Sequence, residues 1–397
     1  MFTLYERKNR QKSNVNIFVM NYVTNLTKEN LAGERIGVFF GTFAPLHVGH
    51  QAEIYKAAAL NDGVLVVTSG YTGDRGEQIG LPLRKRFRYL RQAFADEWQI
   101  KVDYLNEDGI PKMPDGWDVW LDKLLGIIKR NIVNKNAKIT FYTGEPDYKK
   151  EIEKRLGDNP QFRVSLMDRT ILNISATKIR KEPLKYWDYI NRVFRRHFVQ
   201  KVVVMGSSNS GKSTLIRRLA RSANSPFSDD FAAIYQEESN VADSEMDIKD
   251  YSNIIQGQYQ ANSLEINSPA NNGLAIFNGD AISLQAYSNL LLNQDERLQL
   301  KHLYKTIISA EEFDLILVIP PFSDPRRKVI RFTGAAIDPV AYYQELIRLI
   351  DFYGFSDKMV VLNAKNQTDD PAGYYARYLQ ALDAIEKYTS FDIEHHR

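Results

Sequence analysis

From residue 36 onward, short apolar runs alternate with longer amphipathic ones. Ile36 to Phe40 is apolar, Val48 to Leu60 places apolar positions at helical spacing, and Val64 to Val67 is apolar again. That rhythm predicts parallel strands joined by crossover helices. Strands are predicted also at Lys101 to Leu105, Lys138 to Tyr142 and Arg163 to Leu166, with helices over Leu83 to Trp98, Trp117 to Ile132 and Tyr148 to Leu156. About five strands complete one α/β domain. The pattern restarts with a strand at Lys201 to Met205, a Gly-Ser loop and a helix over Lys212 to Arg221, then strands at Gly273 to Phe277, Phe313 to Ile319 and Lys358 to Leu362. The expected fold is therefore α/β, with two doubly wound parallel-sheet domains. The boundaries are an extension at 1–33, a first domain at 34–183, an aromatic and Arg-rich connecting helix at 184–199, and a second domain at 200–397. Residues 224–272 are polar, rich in Ser, Asn and Asp, and read as mobile helices or loops over the second site.

Composition narrows the setting. A chain of 397 residues is long enough for two cores. Its 44% hydrophobic and 25% charged residues are those of a globular protein rather than a disordered one. The net charge of +3 comes from 52 basic and 49 acidic residues, a balance that argues against a nucleic-acid partner or a polybasic membrane anchor. There is no cysteine, which excludes disulfides, thiolate metal sites and cysteine nucleophiles and suits a reducing cytoplasm. No segment approaches the roughly eighteen apolar residues of a membrane span, and the start has no signal-type apolar core. A cytoplasmic protein is expected, and a homo-oligomer stays open.

The candidate chemistry begins where the first strand runs into Gly41-Thr42-Phe43 and a helix starts near Val48. Backbone N–H groups and a positive helix end then face the same point, and phosphate suits it. His47 and His50 are three apart, so both rings can face one phosphate and stabilise developing charge. Gly49 leaves the approach open. Far along the chain, Ile174 to Arg180 supplies the hydroxyls of Ser175 and Thr177, a helix start, and the cations Lys178 and Arg180. Each segment alone also fits something plainer: a capping histidine beside a surface one, or a simple helix cap. Together, in that order, they point to one phosphate site clamped by two segments.

A second phosphate loop is explicit. Gly206, Ser207, Ser208, Asn209, Ser210, Gly211, Lys212, Ser213 and Thr214 match the Walker A pattern between a predicted strand and a helix. Its amides would cradle ATP phosphates, Lys212 would neutralise them, and the Ser213 hydroxyl would hold Mg2+.

The two segments of the first domain resemble the HxGH and ISxTxxR signatures of the nucleotidyltransferase superfamily. Tyr104 to Trp117, Gly144-Glu-Pro146, and Ile174 to Arg180 leading into Tyr186-Trp187 narrow the likeness to the NadR family, over about residues 34 to 390. The resemblance implies a Rossmann-like HxGH nucleotidyltransferase followed by a P-loop kinase. It implies transfer of AMP from ATP to nicotinamide mononucleotide, giving NAD and pyrophosphate, and phosphorylation of ribosylnicotinamide by the second domain. His47, His50, Lys178, Arg180 and Mg2+ would stabilise charge, with Gly41, Thr42, Phe43, Ser175 and Thr177 around the first ATP. Nicotinamide mononucleotide would lie by Asn106 and Trp117. A Trp face attracts a cationic ring, although core packing is the common fate of Trp.

The kinase half departs from the pattern it resembles. Leu274 to Asp280 is similar to a strand ending in two spaced acids, but Asn278 replaces the first. Asp280 is left for metal or for the substrate hydroxyl. Asp229 and Asp230 lie where relatives carry an acid followed by an arginine, and Ala232 or Ala233 stands in the arginine's place. Asp324 to Gly334 resembles the phosphate lid, with Arg331 in place to reach ATP and Gly334 beside it, but with Arg326 and Arg327 among basic residues where relatives have acids. ATP binding survives these changes and the acceptor is left open. One reading is a bifunctional enzyme; the other is an adenylyltransferase whose P-loop domain only senses ATP. Some relatives regulate transcription through a helix-turn-helix, but the 33 residues before the first strand are too few for that domain and no basic face accompanies them. A different acceptor, such as phosphopantetheine or a sugar phosphate, is opposed only by Pro111 to Trp117 and the resemblance.

Overall fold

The computed structural model describes residues 29–167, 174–321, 337–363, 370 and 372–393. The chain divides into two compact units, Met1–Phe194 and Arg195–Arg397. Both are doubly wound α/β structures built on a five-stranded parallel sheet.

In the first unit, β1 (Arg35–Gly41) leads to α1 (Val48–Leu60), β2 (Gly63–Gly70), α2 (Leu83–Ala93), β3 (Ile100–Asn106), α3 (Trp117–Asn131), β4 (Lys138–Thr143), α4 (Pro146–Leu156) and β5 (Phe162–Leu166). A short helix, α5 (Ala176–Lys181), follows. The sheet order is β3-β2-β1-β4-β5, with Val38 opposite both Leu65 and Phe141. Helix α3 buries Trp117, Trp120, Leu121, Leu124, Ile127 and Ile128, the spacing of one apolar face, and joins Val38, Leu65, Val67 and Phe141 in the core. Because the strand order reverses between β1 and β4, their carboxyl ends open a crevice.

Two expectations are corrected here. Helix α2 stops at Ala93 rather than at Trp98. Phe94 is fully buried and Trp98 is exposed, because the chain turns after Phe94 to enter β3, where Val64 N–H donates to the Gln99 carbonyl. Nor is 184–199 one helix: it holds a 3-10 turn at Trp187–Tyr189 and the single-turn α6 (Arg192–Arg195). Between them Ile190 forms an antiparallel bridge to His47, and Asn191 N–H donates to the Leu46 carbonyl at 3.0 Å. That backbone is bonded to the loop before α1 and so is not free to continue a helix.

A buried ion pair sits under the same loop. Arg86, on α2, meets Asp74 at 2.5 Å, with both residues inaccessible or nearly so. Arg86 also donates to the Thr42 carbonyl at 2.8 Å and the Ser69 carbonyl at 3.2 Å, while Asp74 accepts from the N–H groups of Gly76 and Glu77. The ends of β1 and β2 and the loop after β2 are thus tied to one guanidinium.

The second unit runs β6 (Gln200–Met205), α7 (Lys212–Ala223), β7 (Phe227–Ser228), α8 (Phe231–Ser239), α9 (Ile248–Asn267), β8 (Leu274–Phe277), α10 (Ala281–Leu291), α11 (Gln294–Glu311), β9 (Leu315–Val318), α12 (Pro339–Phe352), β10 (Met359–Val361) and α13 (Tyr374–Tyr388). Its sheet order is β10-β9-β6-β8-β7. The polar stretch 224–272, expected as mobile loops or helices, contains the 20-residue α9, which opens with a capping box at Asp247 and Asp250. Two of its polar residues, Gln258 and Asn262, are buried and bond one another. Gln258 accepts from Phe231 N–H and donates to Asn262, which takes the Ser228 hydroxyl and donates to the Gly279 carbonyl. Among the described residues no helix is long and apolar enough to cross a membrane.

Replacing Arg86 by Met would leave Asp74 buried without its partner, which should cost about 3–5 kcal/mol. All four tryptophans precede residue 195, so their fluorescence during urea unfolding reports on this unit.

Candidate active sites

The first cleft lies where β1 and β4 part. It has a volume of about 530 Å3 and is lined by Gly41, Thr42, Phe43, His47, His50, Trp117, Ser175, Thr177 and Arg180, all of them singled out in the sequence. His47 is the N-cap of α1 and its Nδ1 accepts from His50 N–H at 3.4 Å. The capping reading of the histidine pair and the phosphate-facing one therefore describe the same residue. The two imidazoles stack with centroids 3.7 Å apart, and His50 meets the edge of Phe43 at 5.2 Å. Gly49 allows this packing, since a Cβ there would stand 3.1 Å from His47 Nδ1 and 3.2 Å from its Cε1.

Positive charge gathers at the same end. Arg180 donates to the Ala44 carbonyl and to Thr177 Oγ1, both at 2.9 Å, which fixes its guanidinium over the loop before α1. Arg75 donates to Thr42 Oγ1 at 2.7 Å. Burial, and then the charge of Arg75, hold the Arg180 pKa below the usual arginine range, with Asp74 acting against them. Two guanidiniums this close favour an anion between them. Arg75 was not singled out in the sequence; its only signal is a Gly-flanked Arg in the loop after β2, at the carboxyl edge of the sheet.

The lining also includes aromatic and acidic residues, among them Trp117, Glu145, Asp147 and Tyr148, together with Met113. Trp117 is only 8% exposed, so it is a core residue and a cleft residue at once. The Tyr148 ring stands edge-on to Trp117 at 4.8 Å and to Trp120 at 5.2 Å, and burial pushes its hydroxyl up to about 12. Behind it, Glu107 accepts from the Trp120 indole at 3.1 Å and is raised by burial.

Two residues are not brought to this cleft. Lys178 lies on the exposed side of α5, where its N–H caps onto Ser175 Oγ. Asn106, at the end of β3, lines a separate depression with Tyr71, Phe87 and Tyr104, accepts from Asp108 N–H, and offers its carbonyl to Lys123. Asn106 is two positions from Tyr104 on β3 and shares its face, the one that lines this depression.

In the second unit the phosphate loop leaves β6 and enters α7. Gly206, Asn209 and Gly211 have positive φ, at 152°, 64° and 90°. Lys212 Nζ lies across the loop, donating to the carbonyls of Gly206 at 2.8 Å and Ser207 at 3.1 Å, and Ser208 N–H donates to the Tyr287 hydroxyl. Lys212, Ser208, Asp230, Ala232, Tyr251, Asn278 and Asp280 share one cavity. Asp280 is fully buried at the N-cap of α10, accepting from Ser283 N–H at 2.8 Å and from its hydroxyl at 2.6 Å. Burial raises its pKa to about 6, against the hydrogen bonds from Ser283 and the charge of Lys212. Asn278 Nδ2 donates to Ser213 Oγ at 3.1 Å. The proposed lid residues Arg326, Arg327, Arg331 and Gly334 fall outside the described residues.

A family model described as an AAA domain matches residues 201–335. The Salmonella typhimurium "Trifunctional NAD biosynthesis/regulator protein NadR" is 27% identical over 367 residues, 89% of this chain and 83% of that protein. A crystal structure of NadR protein in complex with NR matches with a TM-score of 0.84 and 48% identity, over 92% of this chain and 99% of that one. A second, of NadR protein in complex with NAD and AMP-PNP, matches with a TM-score of 0.83 and 46% identity over the same 92% and 99%.

Gly49→Ala should displace the His47 ring. The expected result is loss of the ring-current signature of the 47–50 stack in NMR spectra, with triphosphate affinity falling about tenfold through the disturbed anion site.

Proposed function

The chain belongs to the NadR family, and on that footing we propose that it makes NAD in two consecutive steps, each at one of its two phosphate cradles. The first unit transfers AMP from ATP to nicotinamide mononucleotide. The observation that carries this reading is that one cleft is lined both by His47, His50, Arg75 and Arg180 and by Trp117, Tyr148, Glu145 and Asp147. A triphosphate suits the first group and a cationic aromatic ring the second.

An oxygen of the mononucleotide's 5′-phosphate attacks the α-phosphorus of ATP, the new P–O bond forms, and the bond to pyrophosphate breaks. No covalent enzyme intermediate is required. The chain supplies position and charge. Arg180, held by Ala44 and Thr177, and Arg75, held by Thr42, face the phosphates, while His47 and His50 stabilise charge as pyrophosphate departs. Removing one such donor typically costs about a hundredfold in rate.

The second unit phosphorylates ribosylnicotinamide with ATP. Lys212 neutralises the transferred phosphoryl group, Ser213 would hold the magnesium that accompanies ATP, and Asp280 would take the proton of the ribose 5′-hydroxyl. Magnesium bound there supplies charge neutralisation of the phosphates. The fit is incomplete, since Ser213 is already hydrogen-bonded to an amide rather than to an acid. On this reading the protein works on nucleotides rather than on nucleic acid, in a reducing cytoplasm, which the balance of 52 basic and 49 acidic residues and the lack of cysteine suit.

With ATP, Mg2+ and ribosylnicotinamide, the pure protein should yield both the mononucleotide and NAD. Lys212→Ala should abolish the first product from the riboside while leaving conversion of added mononucleotide to NAD intact. A P-loop unit that only senses ATP would give no riboside phosphorylation before or after the substitution. Riboside phosphorylation should also fall as pH drops through about 6, where Asp280 takes up a proton and can no longer act as a base. An ordinary exposed carboxylate would place that limb about two pH units lower, and a pH–rate profile distinguishes the two.

A further inference from the structure

Glu107 is the first residue after β3. Its backbone is fixed on both sides: the N–H donates to the Gly70 carbonyl at 2.9 Å, and the carbonyl accepts from Ile110 N–H at 3.0 Å. One carboxyl oxygen accepts the indole N–H of Trp120, on α3, at 3.1 Å. An indole nitrogen can only donate, so chemistry settles the direction of this bond. Trp120 is 1% exposed, and its ring stands edge-on to Trp117 at 6.0 Å and to Tyr148 at 5.2 Å. Trp117 and Tyr148 line the first cleft, whereas Trp120 and Glu107 do not.

The Glu107 charge is little offset by its neighbours. Arg86 and Asp74 act on it in opposite senses and are bound to each other at 2.5 Å, so their charges largely cancel. Burial raises the Glu107 pKa, and hydrogen bonds from Ser69 and Trp120 oppose that rise. Its charge is felt at the cleft lining. After burial itself, Glu107 does most to raise the Tyr148 hydroxyl, ahead of Glu145, although Glu145 lines the cleft and Glu107 does not. Glu145 and Asp147 are exposed, so water screens them, whereas Glu107 acts through packed aromatic rings, where a charge is screened less. A cationic ring lying against such a lining gains from the charge behind it; a neutral ring of the same shape does not.

We propose that Glu107, acting through Trp120, positions the Trp117 and Tyr148 rings and gives the first cleft its preference for a positively charged ring over a neutral one of the same shape. It is a positioning residue that need not touch the ligand. This rests on reading the first cleft as the mononucleotide site. The discriminating pair is nicotinamide mononucleotide, whose ring is cationic, and its dihydro form, whose ring is neutral.

The test is steady-state adenylylation by the full-length protein at saturating ATP and Mg2+, at about pH 8, above the ordinary carboxylate range. KM is measured for the oxidised mononucleotide, and the inhibition constant of the dihydro form is measured against it. Glu107→Gln keeps an acceptor for the indole and removes the charge. It should raise KM for the oxidised form about fivefold, the scale of one charge felt through a few packed side chains. The constant for the dihydro form and the KM for ATP should stay as they are. Glu107→Asp keeps the charge on a shorter side chain, so both mononucleotides should weaken together and the ratio of the two constants should hold. An unchanged ratio in Glu107→Gln, or a ratio lost equally in Glu107→Asp, would overturn the proposal and leave the cleft's assignment standing. Failure of the original protein to form NAD from the mononucleotide and ATP would instead sink the assignment, and the proposal with it.

Discussion

A central parallel strand that ends one short loop before a helix leaves the helix's first N–H groups pointing at the carboxyl edge of the sheet, with no carbonyl partners of their own. Both units are built on that constraint, at β1 and α1 and again at β6 and α7. Phosphate oxygens are the natural acceptors for such groups. What differs is how each loop is held. In the first unit His47 turns its side chain back to cap the helix, and the cations reach the cleft from outside the loop. In the second, the loop itself curls through positive φ at Gly206, Asn209 and Gly211 and carries its own lysine.

The first cleft depends on an ion pair that never touches it. Arg86 and Asp74 are costly to bury, yet together they hold the Thr42 carbonyl, the Ser69 carbonyl and the loop that carries Arg75. Each of the pair's charges is met by several hydrogen bonds, the condition under which a buried pair is tolerated. The result is a rigid floor beneath a cluster of like charges that would otherwise spread apart. From the far side, Ile190 and Asn191 hold the backbone of Leu46 and His47, so the segment near the end of the first unit completes its site.

The second site shows the opposite economy of charge. An amide, Asn278, follows β8, Asp280 is buried and accepts from Ser283, Asp230 and Asp243 line the same cavity, and no arginine stands at 232 or 233. The phosphate loop is nonetheless complete. Nucleotide recognition by backbone amides tolerates the loss of side-chain charge better than metal recognition does, because the amides are fixed by the fold and the metal ligands are not.

Local pattern was enough to place most of this. Apolar periodicity located all the long strands, the crossover helices of the first unit and α7, but not α10 to α13; the phosphate loops were legible because their chemistry demands particular residues at fixed spacing beside a strand and a helix. Arg75 was invisible because its role comes from the approach of the loop after β2 to Thr42, a contact across 33 positions of sequence. Asn106 was misplaced for a related reason: a strand alternates its side chains, and the register of β3 on β2 sends Leu105 into the core and leaves Asn106 on the face of Tyr104. Residues 224–272 read as mobile helices or loops because Ser, Asn and Gln usually meet water, whereas here Ser228, Gln258 and Asn262 meet one another. The sequence by itself determined the two sheets and the two cradles, since those follow from local propensity and short-range spacing. Only the tertiary structure decided which cations gather at the first cleft and that Asn278 lies against Ser213, because both depend on groups brought together from distant parts of the chain.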